Sequence, residues 1–222
     1  MASRFKAWRK AKFADMPAGF LKCVVLRAEP VDILSGAVSV EQQDFGLPGR
    51  LSLDWLRSYS SGNRHEGLCG IGWETPADAR LEVDSASGMV ALYYPGVGPL
   101  YFDRLPRVQG EAGAELELMD GARLADGGSH YAVRTKDDLI YSFPKAGRHT
   151  RADGTHELPL SLITDLSGNT LCFERQGGQL GAIVQPGGRR VDLRIEGGRL
   201  REVSISLPDT GSRHCLVRYE YR

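Results

Sequence analysis

The chain has 222 residues with 28 basic and 28 acidic side chains, so its formal net charge is zero. A hydrophobic fraction of 41% is ordinary for a globular protein and excludes a disordered chain. The absence of a basic excess argues against nucleic-acid binding. The 27 glycines and 11 prolines show no collagen-like period, which favours many short elements joined by turns.

The chain begins with a basic arm, which we place at residues 1–28. Its first twelve residues hold five basic side chains and no acidic one. With its aromatic residues, this arm forms either a short amphipathic helix on an anionic surface or a solvated tail. Because the basic start runs into Asp15, Pro17 and Lys22, no apolar signal-peptide stretch follows it. No apolar run approaches the ~18 residues that cross a bilayer, so we expect cytoplasmic synthesis.

Beyond the arm, alternating apolar and polar residues predict strands rather than helices. The first run places Leu51, Leu53, Trp55 and Tyr59 on one face. Each run is bounded by Gly, Pro, Asp or Ser, which are typical of turns. We therefore predict an all-β protein of many short antiparallel strands and hairpins in a curved sheet. The later runs are residues 81–83, 90–94, 116–118, 131–133 and 139–143.

The last third of the chain contains an internal repeat with a period of twenty residues. Residues 168–183 and 188–203 match in physical type, with a Gly-Gly pair at the same place in each copy. Each copy predicts one β-hairpin, and hairpins of this kind must stack to bury their apolar faces. A degenerate third copy covers residues 216–221. Because Arg222 directly follows it, we expect the sheet to keep an open edge.

No pattern in the chain indicates catalysis, a cofactor or a metal, and we predict that the protein is not an enzyme. His149 and His156 flank Asp153, but their spacing matches no metal-ligand motif. The Gly-Gly pairs at 127–128, 177–178, 187–188 and 197–198 precede no helix, so they favour hairpin turns over phosphate binding. We expect small buried thiols at Cys23, Cys69, Cys172 and Cys215, since none forms a C-x-x-C motif.

A series of motifs carries a family resemblance. Residues 30–38 read PVDILSGAV, residues 44–49 DFGLPG, residues 57–61 RSYSS and residues 69–73 CGIGW, and residues 163–174 then precede the repeat. This succession resembles the N-terminal core of Rhs/YD-repeat proteins over residues 30–83 and 160–221. Cys69 stands where that family usually has Leu. The Tyr-Asp pair has become Ile195-Glu196 and Tyr219-Glu220, and it is lost at Arg175-Gln176.

Local chemistry agrees with the motifs. Pro48-Gly49 predicts a type II turn, and Gly70 and Gly72 predict a tight turn before Trp73, which we expect to anchor the core. We divide the chain into the arm, a core-like β domain at 29–160 and hairpin repeats at 161–222. The candidate structural-motif residues are Asp44, Pro48, Gly49, Tyr59, Gly70, Gly72, Trp73, Gly168, Asn169 and Gly188.

The resemblance implies a wall of a β-shell that encloses a toxin and performs no chemistry. It implies partners in the remaining Rhs core chain, its toxin domain and secretion spike proteins, with export by type VI secretion in interbacterial competition. The chain would then be a truncated or split shell protein. The alternative is a small module that binds carbohydrate or a cell surface, with Tyr93, Tyr94 and Tyr101 as stacking platforms.

Overall fold

The computed structural model describes residues 37–95, 99–207 and 211–221, so the basic arm and Cys23 lie outside the described residues. Within those ranges the chain is all-β, which confirms the predicted fold class. Its helical elements there are three short 3₁₀ turns, at Pro76–Asp78, Glu111–Gly113 and Lys145–Gly147.

The strands are short, as the frequent turn residues predict. In chain order they are β1 Ser39–Leu47, β2 Leu53–Ser60, β3 Glu66–Gly67, β4 Gly70–Ile71, β5 Trp73–Glu74, β6 Arg80–Asp84, β7 Val90–Tyr93, β8 Leu100–Phe102, β9 Glu115–Leu116, β10 Arg123–Asp126, β11 His130–Arg134, β12 Ile140–Pro144, β13 His149–Thr150, β14 Thr155–Pro159, β15 Leu162–Thr164, β16 Thr170–Gln176, β17 Gln179–Val184, β18 Arg190–Glu196, β19 Arg199–Ser206 and β20 Arg213–Arg218.

These strands form four antiparallel sheets. The N-terminal sheet has the order β1-β2-β5, and β3 pairs with β4 beside it. The five-stranded sheet has the order β13-β14-β6-β7-β8. The ten-stranded sheet has the order β20-β19-β18-β17-β16-β15-β12-β11-β10-β9, so its members follow one another almost in chain order. Strands β13 and β14 leave that succession: β14 pairs with β6, and β13 pairs with β14.

The twenty-residue repeat forms two successive hairpins, β16–β17 and β18–β19. Their apolar positions are buried in both copies. Each hairpin also has a register shift at the same repeat position, between Glu174 and Arg175 in one copy and between Arg194 and Ile195 in the next. The repeat therefore specifies a β-bulge as well as an apolar face.

The Gly-Gly pairs of these hairpins adopt the backbone that the sequence predicts. Gly177 and Gly178 have φ angles of 58° and 84°, and Gly197 and Gly198 have 58° and 73°. Two consecutive positive φ angles are characteristic of the type I′ turns that suit twisted hairpins. At the 127–128 pair only Gly128 has a positive φ, so that pair does not form the same turn.

One buried apolar cluster joins the sheets. It includes Leu53 and Trp55 of the N-terminal sheet, Leu81 and Leu92 of the five-stranded sheet, and Ile183 of the ten-stranded sheet. The cluster therefore spans both the 29–160 and the 161–222 segments, while the boundary between them stays a prediction. The apolar face predicted for residues 51–59 is confirmed at Leu51, Leu53 and Trp55, although β2 begins only at Leu53, and Tyr59 is half-buried.

The strand predicted at residues 116–118 is wrong beyond Leu116. Leu118 is 81% exposed and Glu117 is buried, the reverse of the expected faces. The Glu117 carboxylate accepts hydrogen bonds from the backbone N–H groups of Met119 and Asp120, at 3.0 and 2.6 Å. A buried carboxylate thus satisfies the amides of a turn, and the neighbouring leucines point outwards.

In the part of the chain that the structure describes, no helix has the length and apolar character needed to cross a membrane.

Candidate functional site

The N-terminal sheet brings several motif residues together around one arginine. Asp44 lies on β1, Tyr59 on β2 and Trp73 at the start of β5. The Arg57 side chain, also on β2, donates from Nε and Nη2 to the two Asp44 carboxylate oxygens at 2.6 and 2.9 Å. Such a bidentate pair fixes both orientation and distance. The hydrogen bond to Asp44 raises the pKa of Arg57 above its already high value.

The Asp44–Arg57 pair contacts Tyr219, which directly follows β20 of the ten-stranded sheet. The Tyr219 hydroxyl donates to Asp44 Oδ2 at 2.5 Å and accepts from Trp55 Nε1 at 3.0 Å. The Arg57 guanidinium lies 5.1 Å from the ring centroids of both Tyr219 and Trp73. Arg57 is therefore held between two aromatic rings as well as by a carboxylate. We call Asp44, Trp55, Arg57, Trp73 and Tyr219 the clasp.

The clasp is shielded from water. The Asp44 side chain is only 4% exposed, and burial, followed by the hydrogen bond to Asp44, raises the pKa of Tyr219. Tyr219 thus stays a neutral donor, and its bonds make a fixed structural link between residues 175 positions apart. Asp44 and Trp73 are among the candidate motif residues, whereas the sequence indicates Trp55 only as part of an apolar face and Arg57 only as part of the motif at residues 57–61.

Trp73, the tryptophan expected to anchor the core, packs against the core cluster but is not its central tryptophan. Trp55 is the fully buried tryptophan, and it stacks on Phe45 with ring centroids 5.5 Å apart. Trp73 is half-buried at the edge of the core and contacts Tyr59, with 5.2 Å between ring centroids. The preceding glycines do have the predicted backbone, since φ is 118° at Gly70 and 80° at Gly72. A Cβ at Gly72 would lie only 2.8 Å from the Ser60 carbonyl oxygen.

Pro48 and Gly49 form a second contact with the repeats, and the predicted type II turn is wrong. Gly49 is not among the positive-φ glycines that such a turn requires. The surroundings of Gly49 are crowded, since a Cβ there would lie 3.0 Å from Arg189 Nη2 and 3.2 Å from the Leu51 carbonyl oxygen. Arg189 donates to the Pro48 carbonyl. Gln185 Nε2 donates to the carbonyls of Leu47 and Leu51, both at 3.2 Å.

A third contact lies beside Cys69, between the β3–β4 turn and the edge of the repeats. The Leu200 N–H donates to the Leu68 carbonyl at 2.9 Å. The Tyr221 hydroxyl donates to the Leu200 carbonyl at 2.6 Å. Burial, followed by the nearby Asp78 charge, raises the pKa of the Cys69 thiol to about 12, so this thiol is unreactive at neutral pH.

The cysteine expectation is confirmed at Cys69 and wrong at Cys215. Cys69 is a buried free thiol, Cys172 is half-buried and Cys215 is exposed. Cys215 lies on β20, the last strand of its sheet, where one strand edge has no hydrogen-bonded partner strand among the described residues. An edge position exposes a side chain that a central strand would cover.

The remaining motif residues lie in loops between repeat hairpins, away from the clasp. Gly168 has a φ of 79° and Gly188 one of 84°, and each N–H donates to the carbonyl three residues earlier. Asn169 donates from Nδ2 to Asp165 Oδ2 at 2.7 Å. These residues fix the turns that separate one hairpin from the next.

The three tyrosines considered for carbohydrate stacking are not surface platforms. Tyr93 and Tyr101 are buried, and Tyr94 packs edge-on against Tyr141 with ring centroids 5.1 Å apart. A sugar ring cannot reach the face of a buried aromatic ring. The carbohydrate alternative therefore loses the residues that motivated it.

A charged cluster lies on one face of the five-stranded sheet. Arg80 bonds Glu82 at 2.8 Å and Glu74 at 3.1 Å. Arg151 contacts Glu82 at 3.2 Å and Glu157 at 2.7 Å. His65, Glu82 and Glu157 place one potential ligand atom each within 4.8 Å of one another. Among the described residues, these three are the set with the geometry to hold a metal ion.

Comparison with known proteins yields one family match. A family model described as a domain of unknown function, DUF6531, matches residues 28–96. That range contains all of the clasp except Tyr219. No curated protein matches the chain.

Proposed function

We propose that this chain is a non-catalytic wall segment of an Rhs-type β-shell. One observation carries the proposal: motif residues of the DUF6531-matched segment form the clasp that holds the end of the repeat sheet. The DUF6531 domain is often found in Rhs/YD-repeat proteins. The matched range also overlaps the motifs at residues 30–83 that resemble that family.

The sheet architecture supports a role as a wall. Successive hairpins add strands in chain order, which extends one continuous surface. One face packs on the shared core. Exposed side chains of the repeats form ion pairs, including Arg190 with Glu174 at 2.5 Å and Arg218 with Glu202 at 2.9 Å. Such a surface keeps a broad sheet hydrated.

Strand β20 is where a further strand would join. The Leu207 N–H donates to the Ser212 carbonyl, so antiparallel alternation directs the N–H of Cys215 away from β19. An outward N–H is the group that an added strand bonds. The proposed partner is further YD-repeat sheet, which in turn would surround the toxin domain and connect with secretion spike proteins.

The experiment is co-expression with a downstream YD-repeat chain, followed by affinity purification and sizing. We expect the two chains to co-purify. Cys215→Pro removes the outward N–H and should abolish association, because proline cannot donate a ladder bond. Cys215→Ser keeps that N–H and should retain it.

Circular dichroism of each variant confirms that it folds. A folded wild-type chain that remains a monomer beside the partner would contradict the proposal. Equal association of the proline and serine variants would also contradict the proposed edge.

A further inference from the structure

We propose that His65, Glu82 and Glu157, the His-Glu cluster, bind a divalent transition-metal cation of the zinc class. Glu82 on β6 and Glu157 on β14 are direct partners in the strand register. His65 comes from the loop that precedes β3 and belongs to the DUF6531-matched segment. Their ligand atoms lie within 4.8 Å of one another, so small side-chain rotations would bring all three to one ion. This inference is independent of the proposed function.

Both glutamates have an oxygen left for a metal. The hydrogen bonds and ion pairs from Arg80 and Arg151 to these carboxylates end on Oε1. The Oε2 atoms accept no hydrogen bond from the described residues. The arginines therefore orient the carboxylates as outer partners do in metal sites, where ligands are themselves hydrogen-bonded.

The ring nitrogens of His65 are available to a metal ion. A neutral imidazole carries a lone pair on one ring nitrogen, which is the atom that binds metal. Within the described part of the chain, its ring nitrogens make no hydrogen bond.

An independent observation beside the cluster points to a missing ligand. Thr155 is 1% exposed, and its hydroxyl has no hydrogen-bond partner among the described residues. It lies two residues before Glu157 on β14, so strand alternation places it on the same face of the sheet. An orphaned buried hydroxyl is costly. A water molecule bound to the metal would give that hydroxyl its partner.

The local charge also favours a cation. Glu74, Glu82 and Glu157 share two guanidinium groups, those of Arg80 and Arg151. Three partly or fully buried carboxylates against two cations leave a net negative charge, which is costly inside a protein. A divalent cation compensates this excess.

The ligand chemistry selects the class of metal. One imidazole and two carboxylates suit Zn²⁺ and its transition-metal neighbours. Ca²⁺ and Mg²⁺ prefer oxygen-only ligand sets. The ion would connect the His65 loop to two strands of the five-stranded sheet, which is a stabilising role.

The test is isothermal titration of the full chain with Zn²⁺ after treatment with a chelator, with Mg²⁺ as the comparison ion. We expect one saturable Zn²⁺ site, an increase in the thermal midpoint on Zn²⁺ addition, and no matching response to Mg²⁺. Glu157→Gln preserves side-chain shape and should weaken binding at least about tenfold. His65→Ala should abolish binding.

His156→Gln is the matched control, because His156 neighbours Glu157 but faces the opposite side of β14. This variant should bind Zn²⁺ like the wild type. Absence of saturable Zn²⁺ binding, equal binding by Glu157→Gln, or loss of binding in His156→Gln would each overturn the proposal. Circular dichroism establishes that each variant is folded.

Discussion

At the scale of single residues, buried polar groups determine how the two ends of the described chain meet. Trp55 Nε1 has the Tyr219 hydroxyl as its acceptor, and that hydroxyl in turn donates to Asp44. A polar group that loses its only partner on burial costs more than an ordinary hydrogen bond contributes. The clasp should therefore be sensitive to the loss of one oxygen atom.

We expect Tyr219→Phe to lower the free energy of unfolding by about 1–3 kcal/mol, because it leaves Trp55 Nε1 without an acceptor. Urea denaturation followed by circular dichroism measures the change. Tyr59→Phe is the control, since the Tyr59 hydroxyl bonds none of the described residues. Equal stability of the two variants would contradict the role assigned to Tyr219.

His65 should make stability dependent on pH. Its pKa is lowered to about 3 in the folded chain, against about 6.5 when unfolded. The unfolded state therefore binds more protons between these values, and stability falls as the pH drops below about 6.5. In buffer with chelator, His65→Gln should lose less stability than the wild type between pH 7.5 and 5.5.

The expected difference is about 1 kcal/mol at pH 5.5. Urea denaturation at each pH provides the measurement, and His214→Gln is the control because His214 is exposed. If the wild type and His65→Gln show parallel pH profiles, the assigned cause is wrong.

At the scale of elements, the hairpins are the part that the sequence predicts best. The pairs Gly177-Gly178 and Gly197-Gly198 predict hairpin turns, because few other residues adopt two consecutive positive φ angles. Apolar alternation then identifies the buried face of each strand. Both signals are local, and local signals can be read from a single sequence.

The sequence-based predictions fail where a contact with a residue distant in sequence determines the local structure. Arg189 closely approaches Gly49, and no residue near Gly49 in the sequence indicates this contact. Glu117 is buried because two turn amides need its carboxylate. Trp55 Nε1 donates to the Tyr219 hydroxyl, a contact that no residue near Trp55 in the sequence indicates. Part of the clasp could be predicted from the motifs around Asp44 and Trp73, but the contact of these residues with Tyr219 could not.

The type I′ turn gives a test at this scale. We expect Gly178→Ala to cost about 1–2 kcal/mol, because a Cβ at a φ of 84° strains the backbone. No atom lies within 4 Å of the added Cβ, so strain is the sole cause. Thermal and urea unfolding measure the effect.

Gly181→Ala, in the same hairpin, is the matched control. Gly181 lacks a positive φ, and the nearest atom to its added Cβ is 3.9 Å away. This variant should be neutral or more stable by up to about 1 kcal/mol. A Gly178→Ala protein as stable as Gly181→Ala would contradict the turn assignment.

At the scale of the whole molecule, the shared core and the three interlocking contacts indicate one cooperative unit. The apolar cluster includes side chains of the N-terminal, five-stranded and ten-stranded sheets. Gln185 and Leu200 bond backbone groups of the N-terminal region directly. Separate unfolding of the repeats would expose both the cluster and these polar groups.

We therefore expect urea unfolding to follow a single transition. In a Trp8→Phe chain, tryptophan fluorescence reports on Trp55 and Trp73, whereas far-ultraviolet circular dichroism reports on all sheets. The two midpoints should coincide, as two-state unfolding requires. A fluorescence change that clearly precedes the loss of strand signal would show that the N-terminal segment and the repeats unfold separately.

The clasp also has a consequence for synthesis on the ribosome. Asp44 is made 175 residues before Tyr219, so at roughly 5–20 residues per second the carboxylate waits roughly 10–35 s for its partner. Contacts this distant in sequence also form slowly after release. During that interval Arg57 and Trp55 belong to a nascent chain in which β20 and Tyr219 have not yet been synthesised. Chaperone demand should therefore be greatest before translation reaches Tyr219.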